Sequence, residues 1–453
     1  MINFLNEEIM EKLSMFHPSK AFYRFTTLIF ISLIAFGSYF AYDSIGAISA
    51  SLVEALGEGR DIVGSFYSAY SIAAMFTLLI GGILVDRLGV RTSSIIFSTV
   101  VLVGVALVAV FYRNTTLIWT GRFILGLGAE PLYVAMNVMI ARWFKGKELA
   151  FAFALSLVFM RLGTIFSFNS GEAISTYFNH YQATLIAAVI LCAFSLLVNF
   201  IYNLLDKRGE KVLQLKSESA DEGFSIKHIK KFKASFWYVS LLCVTFYSAI
   251  FPFTSLAPDF FVEKWNIVKS VEASGSFLSR VFDSFLHPFD TAGGITAIPM
   301  ITSMILSPFI GLLVDKVGKR GTMMIVGSIL IVPAHLLMGL THLYPVIPMM
   351  ILGASFVLIP AAMWPSVPLL VKKNVTGTAF GIMAMVQMVG LTAFPWLNGI
   401  LRDITKSYTT SLIMFASLGF VGLLFAILLK RADKREGGIL ERPGKVASAA
   451  SID

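Results

Sequence analysis

The chain has 453 residues, 57% of them hydrophobic and only 14% charged, with a formal net charge of +9. Its mean hydropathy of +0.79 is more apolar than a soluble chain of this length sustains, which excludes a water-soluble enzyme or binding domain and indicates an integral membrane protein. The positive balance does not point to nucleic acid, because the basic residues concentrate in alternate loops, as membrane topology requires.

Residues 1–21 are mixed and charged, lack the apolar core of a cleavable signal peptide, and read as a short segment on the cytoplasmic face. Apolar stretches then recur near 22–51, 62–85, 92–112, 115–142, 149–172, 182–205, 235–261, 291–314, 321–341, 345–371, 377–401 and 409–429. The linker 206–234, rich in Lys, Glu and Ser, divides them into two six-span halves, 22–205 and 235–430, and a tail follows over 431–453. Candidate inner segments hold 27 Lys and Arg against 7 in the outer loops, which sets both termini in the cytoplasm. The expected architecture is an all-α integral membrane fold of twelve transmembrane helices. In an outer insertion at 263–290, Phe277, Leu278, Val281, Phe282, Phe285 and Leu286 recur at helical spacing, predicting an amphipathic helix resting on the outer surface.

Two charged residues interrupt the apolar spans at matching depth. Glu130 precedes Lys145 by 15 residues, and Arg161 follows Gly146 by 15. At about 1.5 Å per helical residue both lie roughly 22 Å from the turn between them, near the middle of a hydrocarbon core about 30 Å thick. Such charges line an aqueous cavity or grip a ligand, and a carboxylate with a guanidinium suits the two ends of a zwitterion. The plainer alternative is a Glu130–Arg161 ion pair joining spans 4 and 5. Tyr247 and Gln387 fall at similar depth in the second half and are candidates to hydrogen-bond the same ligand, with helix packing as the alternative. Trp364 sits lower, as a pocket wall or inner gate. Asn137 and Asn169 are further polar candidates. Tyr42 and Asp43 lie in the outer half of span 1, where Asp43 suits an ammonium, a gate or a proton; Arg122 reads as a structural or gating residue. Pro252, Pro308 and Pro365 fall inside spans and permit bending.

A repeat carries the architecture. Gly82-Ile-Leu-Val-Asp86-Arg87-Leu-Gly89-Val-Arg91 follows span 2, and Gly311-Leu-Leu-Val-Asp315-Lys316-Val-Gly318-Lys319-Arg320 follows span 8. Equal positions in two halves imply tandem duplication, and a cavity between such halves is the usual alternating-access arrangement. The first copy matches the G-x-x-x-D-R-x-G-x-R signature of the major facilitator superfamily, which the chain resembles. The resemblance implies a conformational latch at Asp86, Arg87 and Arg91, with Asp315 and Lys319 as counterparts.

A closer resemblance, to the major facilitator superfamily domain-containing protein 1 group, rests on Phe36-Gly37-Ser38-Tyr39-Phe40-Ala41-Tyr42-Asp43, Gly121-Arg122-Phe123, Gly126-Leu127-Gly128-Ala129-Glu130, Arg161-Leu162-Gly163, Phe246-Tyr247-Ser248, Trp364-Pro365 and Gly377-Thr378-Ala379, scattered over nearly all spans. That group comprises lysosomal dipeptide transporters of animals, acting as uniporters beside an accessory subunit. It implies a dipeptide or other small zwitterion as substrate and a monomeric transport unit in a lipid bilayer. Three features depart from the group: a longer 263–290 segment, Met388 where a polar Asn is expected, and no acidic dileucine sorting signal. The last of these favours the cytoplasmic membrane of a prokaryote over a lysosomal membrane. The runner-up is a proton-coupled or exchange porter of organic anions or amino acids, which would not need Glu130. No phosphate-cradling loop, metal-ligand spacing or catalytic triad is marked, so no cofactor is expected, and an intramembrane enzyme or a non-transporting receptor is the lesser alternative.

Overall fold

The computed structural model describes residues 16–144, 148–213, 232–270, 276–372 and 375–443, without the side chains of Leu79, Ala150 and Asp315. Outside the described residues lie most of the N-terminal segment, the turn Lys145-Gly146-Lys147, the middle of the linker, residues 271–275, Asn374, the end of the tail, and the Asp315 side chain.

The first half comprises α1 (Ala21–Ala47), α2 (Ser49–Leu56), α3 (Arg60–Leu88), α4 (Val90–Val110), α5 (Thr115–Phe144), α6 (Leu149–Tyr177) and α7 (Gln182–Leu213). The second comprises α8 (Ala234–Thr254), α9 (Ala257–Trp265), α10 (Phe277–Leu286), α11 (Ala292–Val317), α12 (Arg320–Leu340), α13 (Val346–Met363), a 3₁₀ turn (Trp364–Ser366), α14 (Val367–Leu370), α15 (Thr376–Thr405) and α16 (Thr409–Arg435). Among the described residues, eleven helices are long and apolar enough to cross a membrane, and α3, bent by 51° near the Gly81-Gly82 pair, makes a twelfth. The twelve expected spans are therefore present; Tyr23 of α1 meets Leu205 of α7, and Ser235 of α8 meets Glu436 just after α16, at what is called the terminal face below.

Three spans are interrupted. Span 1 breaks at Ile48, where φ is −105°, and α2 ends at Gly57 with φ +66°. Span 7 breaks before Pro258, which begins α9. Span 10 breaks at Trp364-Pro365, where the missing amide ends the helical ladder. In the other direction, α7 extends eight residues beyond the apolar run, to Leu213. The extension is held by Asp206, fully buried, whose carboxylate takes Arg91 Nε at 2.6 Å, Arg142 Nη1 at 3.0 Å and Trp143 Nε1 at 2.9 Å.

Within the first half, backbones meet at glycine. A Cβ on Gly104 of α4 would lie 2.6 Å from Leu125 N and 2.7 Å from Gly121 O of α5, so only a missing side chain lets these helices pack. The α10 helix forms as expected but does not rest flat on the surface. Phe277 packs on Tyr177 and Phe178, and Phe285 on Phe166, so α10 runs antiparallel along the last turns of α6. Leu278, Phe282 and Leu286 face away, 74%, 63% and 59% exposed. Both stripes are apolar, which suits a helix flanked by protein and hydrocarbon better than one floating on water.

The halves are stitched at the face distal to the termini. The core of the second half continues into Ile45, Ile48, Leu52, Val63 and Phe66 of the first. A Cβ on Gly64 of α3 would lie 2.1 Å from Pro395 O of α15. Ser68 Oγ donates to Thr392 O, and Asp61 N to Asp403 Oδ2 at 3.0 Å. Arg60 Nε binds Asp259 Oδ2 at 2.8 Å, Tyr408 donates to the same carboxylate, and Arg402 Nη2 binds Glu263 at 2.7 Å. Lys269 reaches Glu54 at 3.1 Å and Ser51 at 3.3 Å. These contacts close the distal face.

Candidate functional site

Glu130 sits on α5 immediately before Pro131, and its Oε1 accepts a 2.8 Å hydrogen bond from Tyr70 Oη of α3. Arg161 sits on α6 and reaches into the second half, its guanidinium 4.2 Å from the Phe356 ring centroid of α13 and its Nη1 donating to Met300 Sδ of α11 at 3.1 Å. No ion pair joins the two among the described residues, so the plainer ion-pair alternative is not formed in this conformation. Glu130 has one neutral partner instead and Arg161 two. Both side chains are partly exposed, and a charge at mid-depth needs water, a partner or a ligand.

The second half supplies an aromatic wall. Trp364 Nε1 donates to Tyr247 Oη at 3.0 Å; the Tyr247 ring stacks 5.7 Å from Phe251, and Phe251 meets Phe356 edge-on at 5.6 Å. Trp364 also stacks on Phe380 at 6.0 Å. Gln387 accepts a 3.6 Å contact from the Cys243 thiol and is partly exposed. Across from this wall, Asn137 lies one turn from Tyr133 on α5, both partly exposed. Tyr247, Trp364, Gln387 and Asn137 thus accompany Glu130 and Arg161 as partly exposed residues.

Tyr42, Asp43, Arg122 and Asn169 form a deeper layer. Arg122 is 1% exposed; its Nη1 donates to Ala41 O at 3.1 Å and Tyr42 O at 3.0 Å, and its Nε to Phe66 O at 3.3 Å. The Tyr42, Tyr67 and Tyr70 rings surround the guanidinium. Arg122 therefore ties α1, α3 and α5 together and props the Tyr70 that meets Glu130. Asp43 is 5% exposed, with Thr164, Arg122 and Arg161 as its electrostatic neighbours. Asn169, 4% exposed, donates to Ile165 O within its own helix.

The signature residues are on the terminal face. Asp86, Arg87 and Lys319 are exposed, and among the described residues Asp86 and Arg87 make no hydrogen bond or ion pair. Arg91 is turned toward Asp206 and Glu210 of its own half. The spans gave no warning of Tyr70, Met300 and Phe356, because apolar and aromatic residues are ordinary there; only a hydroxyl inside span 2 marked Tyr70.

The Major Facilitator Superfamily pattern matches residues 31–282 and 270–452. The chain is 31% identical over 438 residues to the lysosomal dipeptide transporter MFSD1 of Danio rerio, covering 93% of this chain and 90% of that protein. Its fold is similar to a mutant of the nucleoside transporter NupG, with a TM-score of 0.70 at 14% identity over 89% of this chain and 99% of that one. It is also similar to a POT family transporter in complex with a thioalcohol-conjugated peptide, with a TM-score of 0.69 at 12% identity over 90% of this chain and 96% of the other.

Proposed function

The chain belongs to the Major Facilitator Superfamily, and from that premise we propose that it is an alternating-access carrier of dipeptides. The observation that carries this reading is the separation of Glu130 and Arg161 at one depth, each held by a neutral partner instead of by the other. What all dipeptides share is a backbone with an ammonium at one end and a carboxylate at the other. Extended, the termini stand roughly 7 Å apart. The Arg161 fork takes the carboxylate, since planar guanidinium and carboxylate match in a charge-assisted, bidentate pair. Glu130, oriented by Tyr70, takes the ammonium. Tyr247, Trp364, Gln387 and Asn137 line the path of the peptide backbone and side chains. The kinship to transporters named for dipeptides agrees with this assignment.

We read the terminal face as cytoplasmic from the charge asymmetry of the loops, which makes the joined distal face the closed outer side. Rocking of the halves breaks the Arg60–Asp259 lock and engages Asp86, Arg87 and Lys319 on the other side. Transport follows the substrate gradient as uniport. The test is thermal shift of the purified protein against dipeptides, single amino acids and organic anions, because a ligand that binds the native state raises its melting temperature. Stabilisation by dipeptides, lost when either terminus is blocked and lost in Arg161→Ala whatever the peptide side chains, is expected. A response to anions alone, undiminished in Glu130→Gln, would replace the dipeptide reading with an anion porter. Liposome uptake with and without a pH gradient then separates uniport from proton coupling.

A further inference from the structure

Arg161 belongs to one half of the protein, and its hydrogen-bond and ring partners among the described residues belong to the other. Its guanidinium carbon stands 4.2 Å from the ring centroid of Phe356 of α13, and its Nη1 donates to Met300 Sδ of α11. A ring attracts the cation without consuming an N–H group. The thioether is only a weak acceptor, so a carboxylate arriving at the guanidinium displaces it readily. The platform itself is fixed: Phe356 is 2% exposed, stacked 6.1 Å from Phe246 and abutted edge-on by Phe251 at 5.6 Å. An arginine side chain free in a cavity would lose rotamer entropy on binding; one already held against a locked ring has lost much of it beforehand.

We propose that Phe356 is a positioning residue for substrate recognition, which sets the Arg161 fork for a carboxylate from across the boundary between the halves. This rests on the assignment of Arg161 to the substrate carboxylate. The carboxylate subsite is then complete only when α6 and α13 are in register at mid-depth, so the substrate senses the relative placement of the halves through one cation–π contact.

The experiment measures binding of alanyl-alanine and of its C-terminal amide to the wild type, Phe356→Leu and Phe356→Trp, each checked for folding by its melt without ligand. The preference of the wild type for the free carboxylate over the amide is the readout. Leucine keeps an apolar filler of similar reach but presents no ring face. Phe356→Leu is expected to shrink that preference by about 3- to 30-fold, on the scale of a cation–π contact in a part-hydrated to desolvated site, while affinity for the amide changes little. Phe356→Trp is expected to restore the preference. An unchanged preference in Phe356→Leu, or an equal loss for both ligands, would overturn the proposal, since a residue that merely packs the wall lowers both together. A wild type that ignores dipeptides but binds monocarboxylates would defeat the dipeptide reading alone; the same preference, measured with a monocarboxylate and its amide, would still decide the role of Phe356.

Discussion

The lock at the distal face predicts what holds this conformation. Arg60 approaches Asp259 with two nitrogens, Nε at 2.8 Å and Nη2 at 3.3 Å, and stands 3.8 Å from Glu263. Its side chain is 24% exposed and that of Asp259 only 8%. An exposed ion pair contributes about 0–1 kcal/mol, whereas removing one partner of a buried pair costs about 3–5 kcal/mol. Half-buried geometry, with Tyr408 still donating to Asp259, puts Arg60→Ala at about 2 kcal/mol. Because the contact joins the halves, that loss falls on the distally closed state. It converts to a shift of about 30-fold in the conformational equilibrium. Spin labels at Glu58 and Thr410, both exposed and on opposite halves, read the separation at this face by pulsed electron resonance. The native Cys192 and Cys243 are buried and free, and can be replaced by serine as a background. Arg60→Ala is expected to enrich the longer distance. A distribution identical to that of the parent protein would refute the assignment of the lock.

Other expectations separate conformational from structural roles. Gly64→Ala drives a Cβ to 2.1 Å from Pro395 O across the halves, so it should also lengthen the Glu58–Thr410 distance while barely moving the melting temperature. Gly104→Ala makes its clash inside one half and should lower the melting temperature without changing that distance. Asp206→Asn strips charge from a carboxylate that serves Arg91, Arg142 and Trp143 with no exposure of its own; a loss of about 3–5 kcal/mol is expected in denaturant melts. Tyr70→Phe leaves Glu130 without its donor, and loss of a hydrogen bond to a charged group, about 1.5–3 kcal/mol, should weaken dipeptide binding by about 10- to 150-fold. Equal affinity in that variant would mean that Tyr70 does not orient the carboxylate.

The parts of this protein that were legible in its sequence are those where polarity contradicts the solvent. Twelve apolar runs demand twelve buried helices, and a repeated Gly-to-Arg motif betrays the duplication. Glu130 and Arg161 stand out because charge amid hydrocarbon needs a reason. The same logic is silent where a side chain agrees with its surroundings. Phe356 reads as one more apolar residue of span 10, yet it carries the guanidinium. Arg60 reads as loop charge, and only its proximity to Asp259, 199 positions away, turns it into part of a lock. Helix breaks were partly hidden for a similar reason: Pro365 announces itself, whereas Pro252 and Pro308 stay inside continuous helices, span 7 breaks before Pro258 instead, and the break at Ile48 follows no sequence marker.

The contrast between the two sets of contacts bears on how the protein works. At the distal face the halves are joined by full ion pairs and close backbone packing. At the centre, the contacts described for Glu130 and Arg161 are a phenol, an aromatic ring and a thioether. A ligand shifts a conformational equilibrium only by its differential affinity for the two states, so strong partners at the centre would blunt the response by competing with the substrate. Weak ones leave the site avid, and they make occupancy count against the lock. In a uniporter no second ion supplies that difference. The lock therefore has to be weak enough for thermal opening, which fits an Arg60 that stays partly exposed above a buried Asp259, and Arg60→Ala should tip the equilibrium rather than unfold the protein.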